Sequence, residues 1–572
     1  MTYLGKTCAR WSIAAAATAI VSAGCGGDPP ANTSANTTDA SMSTSGSSSG
    51  NGTTSGDGTG TGTSGSTSTA TTQADSDTGT IFDVGVLHDA AVDTTEPPSC
   101  KVVDDMDAVG DCSQQAPADS FEPEVQWAWD GENGDIYSVV TPLVANLTED
   151  NGDGEIDLCD IPDVVVVAYA DLFAGPGHIY VLDGATGSSH FQIPTAVDPT
   201  VCPALGDIDG DGLPEIVSVM MGGALVAFEH DGSLRWQSND LWGSSYIAAL
   251  ALADLDNDGD VEIVAGGSIY DHDGALVAFT TTPPQYSAST AADLDDDGDL
   301  ELVLGNAAYH HDGTLLWNSG IDPGFPQVAN FDDDPEPEIL VTNQLGLAML
   351  EHDGAVVFQN LTPTGDSGFG LTWFRPATVH DFDGDGEAEF AVSSANNYTV
   401  YEADASIVWS ATVSDQSGVA AGTAFDFLGD GGAEAMYADE ANLFVFDDMG
   451  DVLLQSPRTS LTGTEYPVVV DVDNDGSAEI VVVSNQSIGL GGGSPPVQVI
   501  RDVDERWIQA RRIWNQHAYH VTNVREDGTI PQHEPKSWQQ LNTFRTNAQI
   551  EGGGVCMPQP ARLMLLHWRA RP

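Results

Sequence analysis

Aspartates at alternate positions, then a glycine, then a glutamate recur along this chain, and those residue types at that spacing do one kind of chemistry. In ADLDNDGDVEIVAGG, Ala253 to Gly267, the acids Asp254, Asp256 and Asp258 fill positions 1, 3 and 5, Gly259 position 6 and Glu262 position 9. Alternate residues of a tight loop aim their carboxylates at one centre, and a hard cation such as calcium takes about six to eight oxygen ligands. Glycine gives the backbone freedom for the turn. Without a cation, each like-charged pair about 4 Å apart would cost on the order of 4 kcal/mol at intermediate dielectric. The closing acid comes earlier than in an EF-hand, and Ile263, Val264 and Ala265 follow as a strand, so the loop belongs inside a sheet.

Four further copies are complete: Asp207, Asp209, Asp211 and Glu215; Asp293, Asp295, Asp297 and Glu301; Asp381, Asp383, Asp385 and Glu389; Asp471, Asp473, Asp475 and Glu479. Two are damaged. Asn330, Asp332, Asp334 and Glu338 have Pro335 in place of the turn glycine, which predicts weaker binding, and Asp426, Asp430 and Glu434 have Leu428 at the third position, which predicts none. An irregular copy begins at Asn146, with Asp150, Asp153, Asp157 and Asp163 as its candidate ligands.

These eight loops must be positioned by the segments between them. Each closing acid leads into a β-rich run, an Asp-Gly turn and a short strand with an aromatic. Asp231-Gly232, Asp273-Gly274, Asp312-Gly313 and Asp353-Gly354 are such turns, and Asp-Gly flanked by apolar runs is a strong hairpin signal. Trp236, Trp317, Phe358 and Trp409 lie shortly beyond turns of this kind. With the strand entering each loop, a unit has four strands and repeats every roughly 40 to 50 residues, the period and content of a propeller blade. EVQWAWDG, Glu124 to Gly131, reads as a lone last strand, and the final unit from Tyr466 to Asp502 lacks one. The N-terminal strand is therefore expected to complete the last blade and remove two open edges. The prediction is an all-β, eight-bladed β-propeller of four-stranded blades. Seven blades and a partial unit is the alternative, because Leu428 and the irregular first copy weaken the count.

The loops resemble those of FG-GAP or VCBS-type repeats, also found in integrin α-chain propellers, whose calcium loops read DxDxDGxxE or a near variant. The resemblance covers roughly Glu124 to Asp502. It implies a propeller whose loops bind structural calcium between the strands of a blade.

The remaining chain divides by composition. Lys6 and Arg10 precede an apolar run from Ile13 to Ala23, too short to span a bilayer and suited to a secretory signal over residues 1–24. VSAGC resembles a bacterial lipoprotein cleavage site, with Cys25 as the lipidated residue, the alternative being an ordinary signal cut elsewhere. Residues 25–98 are rich in Ser, Thr and Gly and are expected to form a disordered tether. A cysteine-containing lead-in spans 99–123, the propeller 124–502, a small Trp/Arg-rich C-terminal element 503–557 and a basic tail 558–572. Seven cysteines leave five outside the signal and the lipidation site. Export permits disulfides, and Cys100 with Cys112 would close a small loop. Cys159 and Cys202 lie at the edges of the first repeat, and Cys556 is left over. The connectivity does not follow from sequence.

The formal net charge is −71, and divalent ions in every loop would still leave the surface acidic. Between Cys112 and Ile500 the arginines are Arg235, Arg375 and Arg458, which argues against a nucleic-acid face. Trp507, Trp514, Tyr519 and Trp538 are read as packing aromatics in preference to a sugar platform, and His517 with His520 makes a weak zinc signal. His230, His272, His311 and His352 precede the hairpin turns as marks of the repeat. Outside the Ser/Thr/Gly-rich tether no GxSxG elbow, phosphate loop or HExxH motif is present, although dispersed propeller active sites leave no local motif. The reading is a lipid-anchored, calcium-stabilised surface propeller that binds an extracellular glycan or protein. It touches the membrane through its anchor only, at the bacterial outer membrane or cell surface. The alternative is a secreted calcium-dependent polysaccharide lyase or hydrolase.

Overall fold

The structure is a computed structural model. It describes residues 112–556 apart from 118–119, 172–174, 244–245, 281–287, 333, 369–372, 486–492 and 552–553. The proposed signal, Cys25, the tether, most of the lead-in and the tail lie outside the described residues.

Blade 2 shows how sequence becomes a blade. Its strands Ala204–Gly206, Glu215–Val219, Ala224–Phe228 and Leu234–Leu241 pair in order as an antiparallel meander. The first three read as unbroken buried runs, because each is covered on both faces by the neighbouring blades; the fourth carries the exposed Leu234 and Leu241 at the rim. Among the described residues, eight such sheets follow one another around a ring, and the first strands of neighbouring blades pack together at the hub. Blade 3 gains a short extra strand, Val201–Cys202, parallel to Ala248–Ala249. Strand Pro123–Trp129 pairs antiparallel with Val497–Asp502 and completes blade 8, so the ring closes with strands from both ends of the propeller segment. The fold is all-β with eight four-stranded blades, and the seven-bladed alternative falls.

The aromatics after the turns fasten each blade to the next. Trp236 of blade 2 donates its indole N–H to the carbonyl of His272 in the blade 3 turn at 2.8 Å, and Trp317 does the same to His352 at 2.8 Å. The ring also lies against the turn glycine: a Cβ on Gly274, whose φ is +80°, would sit 2.6 Å from Trp236. Glycine is required there twice over, for its positive φ and for the close approach of the indole. His272 and His352 thus meet their neighbours through backbone carbonyls.

Residues 503–556 trace the ring on the side of the acidic loops. Trp514 exchanges backbone hydrogen bonds with Val144 of blade 1, and Asn515 accepts from Leu205 of blade 2. Gln516 accepts from Leu252 of blade 3, Lys536 pairs with Asp293 of blade 4, and Asn542 bonds Asn330 of blade 5. Phe544 bridges Val379 of blade 6, the carbonyl of Arg545 accepts from Thr423 of blade 7, and Asn547 donates to Val469 of blade 8. Trp507, Trp514, Tyr519 and Trp538 are buried in these contacts, so they pack the element and do not form a platform. Arg511 and Arg512 are buried too; Arg512 bonds Glu526 at 2.8 Å, the Leu158 carbonyl and Asn474, joining blade 8 to blade 1.

A Cys112–Cys556 disulfide joins the lead-in to the end of this element, although their sequence separation is 444. Cys556 is therefore not left over, and the Cys100–Cys112 pairing is excluded. Cys159 is also disulfide-bonded, and Cys202 is a buried free thiol.

Candidate metal centres in the blade loops

Blade 6 has the fullest arrangement. Asp381 ends the strand side of the loop and accepts the N–H groups of Gly384 at 2.7 Å and Gly386 at 2.9 Å, which folds the backbone around its carboxylate. Gly386 has φ +98°, a conformation that favours glycine. Asp383 and Asp385 accept from the residues two further on, a local bond that holds each side chain over the turn. Glu389 opens the buried strand Glu389–Ser393; its Oε2 accepts the N–H of Phe382 at 2.7 Å, and its Oε1 is buried without a hydrogen-bond partner. Ligand oxygens of Asp381, Asp383, Asp385 and Glu389 all lie within 4.8 Å of one another.

The closing acid behaves alike in the other repeats. Glu215, Glu262, Glu301, Glu338, Glu434 and Glu479 each accept the N–H of the second loop residue, from Ile208, Leu255, Leu294, Phe331, Phe427 and Val472 at 2.6 to 3.0 Å. In Glu215, Glu338 and Glu479 the other oxygen is again buried and unpartnered. Burial, reinforced by neighbouring loop aspartates, pushes these carboxyls up: Glu215 and Glu262 to about 8, Glu338 to about 7 and Glu389 to about 9. A buried oxygen with no donor, in a group of acids that burial and mutual repulsion hold above their ordinary range, is the setting a divalent cation would relieve. The donor set is all carboxylate and fits a hard ion.

The spacing motif misses one further donor. The last residue of, or the residue after, the third strand comes to the same loops, and Glu229 groups with Asp209 and Asp211. Glu351 of blade 5 and Glu402 of blade 6 are raised by burial first and then by the loop aspartates beside them. The acid before each turn, as in Glu229-His230-Asp231-Gly232, was the available signal. In blade 4 this position holds His310, whose Nδ1 lies 3.0 Å from Glu301 and groups with Asp295 and Asp297.

The irregular loops differ in detail. In blade 5, Asn330 uses its amide to bond the Asp334 carbonyl at 2.5 Å and to accept from Asp332 at 3.0 Å, bracing the turn that Pro335 interrupts. In blade 1, Asp163 takes the closing role, accepting from Leu147 at 2.9 Å, and burial raises it to about 7. Asn146 has a buried unpartnered amide oxygen. Asp153 and Asp157 accept the N–H groups of Glu155 and Cys159, while Asp160 gathers those of Asp150, Asn151 and Asp157. Asp150 groups with Asp183 and His190, two residues the spacing did not single out. His520 bonds Glu534 at 2.6 Å, and His517 is buried against Phe325 and Tyr466.

A closed ring of four-stranded sheets, each with an acidic loop between its first and second strands, defines a repeat β-propeller with loops able to hold metal ions. The family model of the FG-GAP-like repeat matches residues 207–265, the blade 2 loop through the strand after the blade 3 loop, so the chain carries that repeat. Among solved structures, the V. cholerae biofilm matrix protein Bap1 is similar at 22% identity and a TM-score of 0.67, over 77% of this chain and 100% of that one. The rhamnogalacturonan lyase YesW is similar at 15% identity and a TM-score of 0.47, over 78% of this chain and 84% of that one. No curated protein sequence matches the chain.

Proposed function

We propose that this chain is a calcium-stabilised propeller held outside the cell by a lipid on Cys25, and that it binds an extracellular glycan or protein. The observation that carries the calcium reading is the buried, donorless carboxylate oxygen repeated at Glu215, Glu338, Glu389 and Glu479. On this reading Asn146, Asp150, Asp153, Asp157 and Asp163 and the acids of the other loops are structural ligands. The ions tie each first strand to its second, while His and Trp carbonyl and indole contacts tie blade to blade. A protein of shared fold is a biofilm matrix protein, which is in keeping with work outside the cell.

Binding is favoured over polysaccharide cleavage by the fate of the head's arginines. Arg375 is buried against Asp415 at 2.9 Å, Arg458 is buried against Glu465 at 3.2 Å, and Arg235 pairs with Asp209 and Glu229. None is held ready for an acidic sugar. Incubation of purified protein with acidic and neutral polysaccharides tests this: saturable binding without new chain ends is the expected result. Released oligosaccharide would overturn the binding reading in favour of an enzyme.

A further inference from the structure

We propose that the blade 4 loop takes a borderline transition-metal dication, with zinc as the reference ion, through Asp295, Asp297, Glu301 and His310. The assignment rests on the metal-loop reading above and names a different ion class for one loop.

Three features mark this loop: the imidazole beside the closing acid separates it from the other complete loops, whereas a cation on the loop also occurs at Asp209 of blade 2 and an unpartnered first acid also at Asp254 of blade 3. First, an imidazole replaces a carboxylate: ligand atoms of Asp295, Asp297 and His310 lie within 4.8 Å of one another, and His310 Nδ1 lies 3.0 Å from Glu301 Oε1. Blades 2 and 5 place Glu229 and Glu351 at that position. Imidazole nitrogen suits zinc, copper, iron or nickel, whereas calcium is held by six to eight oxygens. Second, Lys536 of the C-terminal element brings an ammonium to the loop, 3.1 Å from Asp293 Oδ2 and 2.6 Å from Asp296 Oδ1. That fixed positive charge offsets a carboxylate that in blade 6 belongs to the acidic group, and so lowers the charge available to a hard ion. Third, Asp293 is 8% exposed and its Oδ1 is buried with no partner, at the loop position from which Asp381 joins its own group. The acid set thus retains an unsatisfied oxygen even with Lys536 in place.

Two aspartates, one glutamate and one histidine make a four-donor set of the kind zinc accepts. His310 is about one-third exposed while Glu301 is fully buried, so the ion would enter from the turn side and settle on the strand.

The test uses the full chain in a His190→Asn background, which removes the imidazole of the blade 1 group, dialysed with excess calcium and buffered zinc. Bound metals are counted by elemental analysis, and cobalt substituted for zinc reports nitrogen ligation in its visible spectrum. The expected result is about one zinc per chain that resists calcium. His310→Glu, which restores the acid of blades 2 and 5, should weaken zinc at least about tenfold, the scale seen even for groups that only orient a ligand. It should also raise the calcium count by one, and its melting curve checks folding. Zinc held equally by the variant, or no zinc beside a normal calcium complement, overturns the assignment. Zinc lost with His310 but no calcium in the other loops would sink the earlier reading and leave this one; neither metal bound sinks both.

Discussion

Blades 6 and 7 are neighbours with the same loop backbone and opposite means of holding it. Asp426 of blade 7 accepts from Gly429 at 2.7 Å and Gly431 at 3.0 Å, as Asp381 of blade 6 does from Gly384 and Gly386. Leu428 therefore removes a carboxylate without unmaking the turn. In its place the chain covers the loop: Ala116 donates to the Leu428 carbonyl at 2.8 Å, Ile508 donates to the Phe427 carbonyl at 2.9 Å, and Gln549 donates to the Asp426 carbonyl at 2.5 Å. The Phe427 ring lies 4.5 Å from Trp507, and the Cys112–Cys556 bond secures both covering segments. Blade 7 closes the frame with packed chain, and on the calcium reading blade 6 closes it with an ion.

The largest expected effect is on the blade 6 type of loop. Chelation should lower the melting temperature of the whole ring, since each ion at about a hundredfold excess over its dissociation constant contributes roughly 2.7 kcal/mol and five loops are complete. Identical melting with and without chelator would break the comparison. Next comes the clasp of blade 7: Cys556→Ser should cost about 2 to 5 kcal/mol, read by denaturant unfolding, and by nearly the same amount with or without calcium. A loss that vanishes in calcium would mean that the clasp and the ions act on one loop.

A smaller and sharper contrast lies in the closing acids. Burial pushes Glu389 to about 9 and Glu434 well above its ordinary value, but only Glu389 has three loop aspartates for company. Glu389→Gln should remove one calcium per chain, whereas Glu434→Gln, whose isosteric amide keeps an oxygen to accept the Phe427 N–H, should change neither calcium count nor melting appreciably. The same shifts give a pH dependence to the chelated protein. Folded carboxyls at Glu215, Glu262 and Glu389 hold protons that the unfolded chain has released above its ordinary glutamate range. The folded ion-free state is therefore favoured at low pH, and this advantage is lost as pH rises through about 8 to about 9. Melting of the chelated protein should fall as pH rises above the ordinary glutamate range and level off beyond about 8 to about 9, while calcium-saturated protein should change little. A fall of equal size in both would assign the titration elsewhere.

Local patterns were legible in sequence, and long-range closures were not. The loop spacing, the Asp-Gly turns and the orphan EVQWAWDG strand led to eight blades and their ring closure, because each is a contact between near residues or between fragments missing complementary parts. The Cys112–Cys556 pair and the circuit of residues 503–556 across all eight hubs involve partners hundreds of residues apart, and no period announces them. Glu229, Glu351 and His310 were hidden for a different reason: they stand at or just past the end of the third strand, outside the motif, and reach the loop only once the hairpin folds back. The blade 1 insertion likewise shifted the donors, since Asp160 gathers backbone N–H groups and His190 comes in from the fourth strand.

The finest test of the comparison is to give blade 7 back its missing acid. Leu428→Asp restores the alternation with Asp426, Asp430 and Glu434, and if spacing alone decided, the chain would bind one more calcium ion. The lead-in argues otherwise, because a Cβ on Gly429 would already meet the Gln114 carbonyl at 2.5 Å and Ile508 at 3.2 Å. An ion needs six or more oxygens around it, and covering chain at that distance displaces the waters that would complete the shell. The calcium count should therefore stay unchanged while the disulfide is closed and rise by one when it is reduced under conditions that leave the ring folded. A count that rises equally in both states would show that Leu428 alone, and not the covering chain, separates the two blades.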